Sequence, residues 1–231
     1  HLLAQSLAFH AGFASAATAS YWRVQRVLVH PSLHRQGLGS QLLTQLEIAA
    51  KKETGLDFLG TSFGATPELA SFWFRLGYLP VRLGLTANQA SGEHTLQLVK
   101  PLSKKPKQFA QALNLRFAQV FINSLGFNFN QLNPNLALSL LQASQLEATA
   151  LTPTDLQELK AFCQGARPLV LSHTAIKNWL LNNLHQPNTH FLQAALQVCL
   201  QNKTPAVLQK QLGLKGKKQL DKYFKKELKE L

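Results

Sequence analysis

Hydrophobic positions in the first hundred residues follow two different periods along the chain. Alternating or β-branched and aromatic runs are typical of strands, and apolar residues three and four positions apart are typical of helices. The pattern predicts strands at 22–29, 56–62, 78–83 and 95–99 and helices at 40–52 and 67–76. Because the two kinds of element alternate, we expect an α/β layer.

The pattern changes near residue 103. The polar segment KPLSKKPK at 100–107 contains prolines and predicts a linker. Beyond it nearly every segment has the helical period, and Thr152-Pro153 and Thr204-Pro205 each place a capping hydroxyl before a proline at the first helical position. We therefore predict an α/β domain over residues 1–103 and a smaller, all-α domain over residues 104–231.

The turn VHPSLHRQGLG at 29–39 carries candidate chemistry between the first strand and the first helix. Pro31 has no N–H to donate to a sheet, so the chain leaves the sheet there. Gly37 and Gly39 allow the backbone N–H groups of residues 34–40 to point into one concavity at the start of the helix, and such a nest binds phosphate oxygens. The sequence therefore predicts a pyrophosphate site, and a purely structural corner between strand and helix stays open as the alternative.

Spacing excludes two common kinds of pyrophosphate site. GLGSQL lacks the third glycine of the dinucleotide fingerprint, and the chain contains no GxxxxGK[ST] motif. A Rossmann site and a nucleotide-hydrolysing P-loop are therefore not expected in these residues.

Positive charge is concentrated in the second half of the chain. Lys and Arg number 24 against 11 Asp and Glu, which gives a net charge of +13. Residues 1–103 contain 8 basic and 5 acidic residues, whereas residues 104–231 contain 16 and 6. If the partner is a polyanion, we expect it to bind mainly to the second half.

The two cysteines and the histidines do not predict a metal site. Cys163 and Cys199 lie 36 residues apart without a CxxC pair or a histidine at ligand spacing, so neither zinc nor a disulfide framework is expected. No segment approaches the roughly 20 apolar residues of a membrane span. We expect a reducing, cytoplasmic location. Since the chain starts at His1, lacks methionine and shows no signal peptide, we expect it to be a fragment of a longer protein or a chain whose methionines were not recorded.

The turn resembles motif A of the GNAT acetyltransferases, in which a valine-rich strand and a (Gln/Arg)-x-x-Gly-x-(Gly/Ala) loop hold the pyrophosphate of acetyl-CoA. His34 stands at the first position of that loop. PELASFWFRLGYLPVRLG at 67–84 resembles the second half of the GNAT core. With HLLAQSLAFHAG, the SFGATPELASFW block and the ASGEHT turn, residues 1–102 resemble the acetyltransferase domain of the bacterial tRNA(Met) cytidine acetyltransferases. The basic remainder is similar in kind to that family's C-terminal tail.

The resemblance implies a GNAT domain with a mixed sheet, followed by a smaller, all-α basic tail. It implies N4-acetylation of the wobble cytidine of elongator tRNA(Met) by acetyl-CoA, driven by ATP or GTP hydrolysis in a helicase-like module that would precede His1. The acetyl-CoA contacts that it implies are Val27, Leu28, Val29, His34, Arg35, Gln36, Gly37, Leu38, Gly39, Ser40, Glu68 and Arg75. Glu68 and Arg75 also fit a first-turn acid and a solvated last-turn cation of the predicted helix.

The chemistry of this reaction requires a proton acceptor and an oxyanion donor. The N4 amine of cytosine is neutral but a poor nucleophile, so positive charge develops on it as it attacks. His30, at the strand end, and Glu68 are the candidate acceptors, and a backbone N–H near Val29 is the candidate oxyanion donor. A structural role for His30 and catalysis by positioning alone stay open.

The lysine-rich C-terminus is the candidate RNA-binding surface. LQKQLGLKGKKQLDKYFKKELKEL at 208–231 predicts a helix, a turn at Gly213 and a second helix with an apolar stripe. Its lysines can neutralise phosphates without reading sequence: Lys215, Lys217, Lys218, Lys222, Lys225 and Lys226. The same pattern also fits a solvated, charged helix.

Two other functions fit parts of the same sequence. A GNAT enzyme that acetylates a protein or a small-molecule amine would keep the loop, but it would not need a basic helical domain. An RNA-binding protein with a GNAT fold but no catalysis would bind tRNA without binding acetyl-CoA.

Overall fold

A computed structural model describes residues 2–10, 12–147 and 149–228. The chain folds into two compact units, which divide inside a long helix. The first unit extends to Phe121 and includes Ala143–Gln145, and the second consists of Ile122–Gln142 and the chain from Leu146 onward. The predicted boundary between functional domains at residue 103 stays a prediction.

The first unit is built on a four-stranded mixed sheet. Its strands are β1 (Tyr21–Val24), β2 (Phe58–Gly64), β3 (Leu79–Ala87) and β4 (His94–Pro101). Its helices are α1 (Leu2–His10), α2 (Leu38–Ala50), α3 (Pro67–Arg75) and most of α4 (Lys104–Ser124), with short 3-10 turns at Ala14–Thr18 and Pro31–Leu33. The strand order is β1-β2-β4-β3, with β1 and β2 parallel and the other pairs antiparallel. The predicted α/β layer with a mixed sheet is confirmed.

Both faces of the sheet are covered. On one face, residues of α1 and α4 pack on the strands, and the buried cluster includes Leu3, Leu7, Phe58, Val99 and Leu113. On the other face, Trp73 of α3 stacks on Phe63 of β2 with ring centroids 6.0 Å apart, and Tyr78 meets Trp73 edge-on at 4.7 Å. Since adjacent strand residues point to opposite faces, β2 contributes to both layers.

Two sequence-based predictions about the elements are wrong. The first strand ends at Val24 rather than at residue 29, so residues 25–29 run outside the sheet. The segment at 100–107 is not a linker, because β4 continues to Pro101 and α4 begins at Lys104. Pro106 is compatible with the helix because it lies in the first turn, where a backbone N–H has no intrahelical acceptor.

The second unit is helical in its described part, as predicted. Its helices are α5 (Pro134–Gln142), α6 (Pro153–Gln164), α7 (His173–Asn182), α8 (Thr189–Cys199), α9 (Pro205–Gln211) and α10 (Lys217–Leu228), with a 3-10 turn at Leu169–Ser172. Local signals explain α6, since Thr152 and Asp155 form a capping box and Gly165 ends the helix in the left-handed conformation. Among the helices of the described residues, none is long and apolar enough to cross a membrane.

Candidate active site

A cavity of about 980 Å³ opens in the first unit beside the parallel strands β1 and β2. The pairing of these strands ends at Val24 and Thr61, although β2 continues for three more residues to Gly64. The Thr61 hydroxyl donates to the Val24 carbonyl at 3.1 Å and so satisfies the last carbonyl of β1. Residues 25–29 then form one wall of the cavity, and residues 61–63 form another.

The turn after residue 29 is held by its own histidines. The Nδ1 atom of His30 accepts from the backbone N–H of Ser32 at 3.4 Å and lies 2.7 Å from the Ser32 hydroxyl, so the His30 ring caps the short 3-10 turn that begins at Pro31. The Nε2 atom of His34 lies 2.8 Å from the Val29 carbonyl. Because a carbonyl only accepts, His34 Nε2 carries the proton and donates. These bonds fix the end of the 25–29 segment against the loop.

The backbone of the loop presents donors at the start of α2. Arg35 and Gly37 have positive φ values of 62° and 81°, and α2 begins directly after Gly37. The first turn of a helix has N–H groups without an intrahelical acceptor, and Gly37 has no side chain with which to cap them. The first intrahelical bond at this end runs from Gln41 to the Gly37 carbonyl. The N–H groups of Leu38, Gly39 and Ser40 therefore form a concavity suited to an anion.

The two glycines of the loop differ in what they require. Only Gly37 adopts the left-handed conformation, whereas the φ of Gly39 is not positive. A Cβ at Gly39 would lie 3.6 Å from Phe72 and 3.7 Å from Val29, which is ordinary contact. Of the two glycines that were predicted to let the backbone curl, only Gly37 therefore has a conformation that favours glycine.

Helix α3 supplies another wall of the cavity. Thr66 caps its N-terminus by accepting from the N–H of Leu69 at 3.3 Å, and Pro67 occupies its first position. Glu68 in the first turn and Arg75 in the last turn are both exposed and both line the cavity. Apolar lining comes from the valines of the 25–29 segment and from Phe72.

These residues fit acetyl-CoA. Cavities for small molecules and cofactors commonly measure about 300–1,000 Å³, and this one lies within that range. The start of α2, with the guanidinium groups of Arg26, Arg35 and Arg75 in the lining, suits phosphate oxygens. The apolar residues along the 25–29 segment suit an uncharged chain leading from the phosphates to the gap between the strands.

Eleven of the predicted cofactor residues lie together around this cavity. They are Val27, Leu28, Val29, His34, Arg35, Gly37, Leu38, Gly39, Ser40, Glu68 and Arg75. Gln36 is not in the lining, and its amide donates to the Ser32 carbonyl at 3.4 Å. His30 also lies outside the lining.

Sequence reasoning missed the residues where the strands separate. Thr61, Ser62 and Phe63 line the cavity. The alternation of the 56–62 run predicted a strand there, but no local signal shows that its neighbour ends early.

The predicted RNA-binding lysines are on and before α10, in the second unit. Gly213 has a positive φ of 66°, and Leu220, Phe224 and Leu228 form the buried stripe of α10, as predicted. Lys215, Lys217, Lys218, Lys222 and Lys226 are exposed. Lys225 differs from them, because it is half-buried and its Nζ lies 5.6 Å from the centroid of the Phe162 ring.

The chain is similar to a known protein family and to several named proteins. Residues 46–103 match the GNAT acetyltransferase 2 family. The chain is 38% identical over 168 residues to the tRNA(Met) cytidine acetyltransferase TmcA of Nitrosococcus halophilus, covering 72% of this chain and 22% of that protein. It is 30% identical over 229 residues to the Vibrio cholerae protein of the same name, covering 99% of this chain, and 33% identical over 234 residues to that of Pectobacterium atrosepticum, covering 98%.

The chain spans 31% of the length of each of the last two relatives. Their alignments include the loop at 29–40, which precedes the family match. The chain thus contains a GNAT acetyltransferase domain and is similar, over almost its whole length, to part of the tRNA(Met) cytidine acetyltransferases.

Proposed function

We propose that this chain transfers the acetyl group of acetyl-CoA to N4 of the wobble cytidine of elongator tRNA(Met). The observation that carries the proposal is the cavity between the diverging strands β1 and β2, with the donor-rich start of α2 at its edge. Similarity to the tRNA(Met) cytidine acetyltransferases supports the choice of acceptor.

The chain's own residues account for cofactor binding. The N–H groups of Leu38, Gly39 and Ser40 would hold the pyrophosphate, with Arg35 and Arg75 beside it. When bound, acetyl-CoA supplies an activated thioester carbonyl. The N–H of Val29 donates to no acceptor within the described residues, so it is available as the oxyanion donor.

Glu68 and His30 are the proposed proton acceptors, and their surroundings differ. The Glu68 carboxylate lines the cavity and can take the proton that N4 loses. His30 Nδ1 accepts a hydrogen bond within its own turn. Nε2 is therefore the one ring nitrogen of His30 that takes no part in the described hydrogen bonds of that turn. This geometry favours Glu68 as the acceptor and a capping role for His30.

The tail lysines are the proposed contacts to tRNA phosphates. Five of the six are exposed, and none of the six takes part in an ion pair within the described residues. Coupling to ATP or GTP hydrolysis stays a prediction, because the sequence of this chain has no P-loop. The cytoplasmic location also stays a prediction.

The experiment is nucleoside analysis by mass spectrometry after incubation of the chain with acetyl-CoA and elongator tRNA(Met). The expected product is N4-acetylcytidine at the wobble position, absent when that cytidine is replaced by uridine. Acetylation of a protein or small amine in place of tRNA would favour the alternative GNAT activity. Calorimetry with acetyl-CoA alone distinguishes both acetyltransferase activities from an RNA-binding protein, because such a protein would not bind the cofactor.

A further inference from the structure

A second cavity, of about 490 Å³, lies on the opposite face of the sheet, beneath α1. Ser62 of β2 lines this cavity and also the cofactor cavity. The two cavities therefore share a lining residue beside the gap in the sheet where β1 has stopped pairing with β2. A group that reaches an acetyl carbonyl in that gap from the second cavity would not have to pass the cofactor.

Two arginines line the second cavity, and a bulge in β3 directs one of them there. Pro80 pairs with Leu98 and Arg82 pairs with Gln97, so β3 has one extra residue against β4 at this point. As a result Val81 lies in the core cluster under α1 and Arg82 lines the cavity on the same face. Without the extra residue, alternation would place Arg82 on the other face.

Arg23 and Arg82 are not neutralised by carboxylates in the described structure. Neither takes part in an ion pair among the described residues, and Glu93, whose carboxylate lies against Gly64, pairs with neither of them. Arg23 is exposed and Arg82 is half-buried. Two uncompensated guanidinium groups lining one cavity form a site for anionic oxygens.

The rest of the cavity is suited to a nucleotide. The Gln97 side chain is 6% exposed, and its Oε1 accepts from the Ser6 hydroxyl at 2.9 Å, which leaves the amide N–H groups as donors. Phe9 of α1 lines the same cavity and is 82% exposed. An exposed aromatic ring, amide donors and arginines are the groups with which proteins bind unstacked bases and their phosphates.

We infer that the second cavity binds the acceptor nucleotide of a single-stranded RNA segment, with Arg23 and Arg82 on the phosphates that flank it. This inference rests on the proposed function and adds to it the residues that position the acceptor. The tail lysines would supply affinity for RNA in general, whereas these two arginines place one nucleotide at the gap beside Ser62.

The test compares steady-state acetylation of tRNA(Met) by the Arg23→Ala, Arg82→Ala and double variants with that of the unchanged chain. The matched control is Arg116→Ala, which removes an exposed arginine on α4 that lines neither cavity. We expect the KM for tRNA to rise about tenfold in the double variant, an effect typical of losing two phosphate contacts, and the Kd of acetyl-CoA to stay unchanged. In Arg82→Lys the KM for tRNA should rise less than in Arg82→Ala, because lysine keeps the positive charge but lacks the planar set of donors of the guanidinium group.

An unchanged KM for tRNA in the double variant overturns the inference while the proposed function stands. If the unchanged chain acetylates no RNA, the proposed function fails instead. Fluorescence anisotropy with a labelled anticodon-loop oligoribonucleotide then decides the inference, because weaker binding by the double variant than by Arg116→Ala supports it and equal binding overturns it. Should Arg82→Ala not fold, the exposed Arg23→Ala variant gives the same comparison.

Discussion

Gly37 and Gly39 lie two residues apart in the cofactor loop but meet different demands. Gly37 has a φ of 81°, which costs an L-residue about 1–2 kcal/mol, whereas Gly39 is in the first turn of α2 with space for a methyl group. We predict that Gly37→Ala lowers the free energy of unfolding by about 1 kcal/mol and weakens acetyl-CoA binding severalfold, because the N–H groups after it turn away. Gly39→Ala should leave stability unchanged or slightly higher.

Denaturant unfolding and calorimetry with acetyl-CoA measure the two effects. For stability, Gly39→Ala serves as the matched control for Gly37→Ala, since the same methyl group is added two residues away. Equal losses of stability in both variants would contradict the role assigned to the left-handed residue.

Glu68 lines the cofactor cavity, whereas His30 lies outside its lining. We predict that Glu68→Gln and His30→Ala each lower the rate of a single turnover more than they weaken acetyl-CoA binding, with the larger loss for Glu68→Gln. For His30→Ala we expect an accompanying loss of stability of about 1 kcal/mol, because the cap of the 3-10 turn is removed. Rapid-mixing kinetics with saturating acetyl-CoA provide the measurement. Unchanged single-turnover rates in both variants would remove both residues as catalytic groups.

At the scale of elements, α2 is fixed to the sheet by a pair of charges. Glu47 of α2 binds Lys100 of β4, and both side chains are less than one-fifth exposed. Glu47 also binds Lys51 on its own helix at 2.8 Å, but the Lys51 side chain is 51% exposed. We predict that Lys100→Gln lowers the free energy of unfolding by about 2 kcal/mol and Lys51→Gln by about 0.3 kcal/mol.

The pH dependence of the same pair has a definite sign. Burial alone would raise the pKa of the Glu47 carboxyl, but the hydrogen bonds and charges of Lys100 and Lys51 outweigh it and hold the pKa below its usual value. A lowered pKa in the folded state stabilises the fold above the unfolded pKa, and that contribution is lost as the pH falls through the folded pKa. The difference between the unchanged chain and Lys100→Gln should therefore shrink below about pH 4. A difference that stays constant down to pH 3 would contradict the assignment.

Elements were predictable where their limits are set by neighbouring residues. Helix α3 follows a Thr-Pro start, and α6 lies between a capping box and Gly165, so local chemistry sufficed for both. The end of β1 was not predictable, because the Thr61 hydroxyl that satisfies Val24 is 37 residues away in sequence. Residues 25–29 carry the same β-branched pattern as a strand, and only the absence of a paired neighbour within the described sheet distinguishes them.

The residues of the candidate site also differ in whether the sequence could predict them. The loop at 34–40 was found because glycine and proline determine local backbone geometry. Arg82 was not found, because its face depends on one extra residue in the pairing of β3 with β4. Sequence periodicity would place Arg82 on the face opposite Val81, whereas the structure has both on the same face.

At the scale of the whole molecule, we predict that a weakly charged half carries out catalysis and a strongly basic half binds RNA. Substitution of an exposed tail lysine by glutamate should lower the salt dependence of tRNA binding. The exposed lysines are Lys215, Lys217, Lys218, Lys222 and Lys226. The expected change in the slope of log K against log salt is about 0.7–0.9 per lost phosphate contact.

Lys160 of the same unit serves as the control for this charge reversal, and Lys225 is the half-buried member of the proposed set. Lys160 on α6 is exposed but is not among the predicted contacts, so Lys160→Glu should leave the slope unchanged. Lys225 lies over the Phe162 ring. Compared with reversal of an exposed lysine, Lys225→Glu should therefore lower the free energy of unfolding more and change the slope less. Binding measured by anisotropy across a salt series gives the slopes, and unfolding in denaturant gives the stability. If reversal of all five exposed lysines changes the slope no more than Lys160→Glu does, α10 is a solvated helix and the tRNA binds elsewhere on the chain.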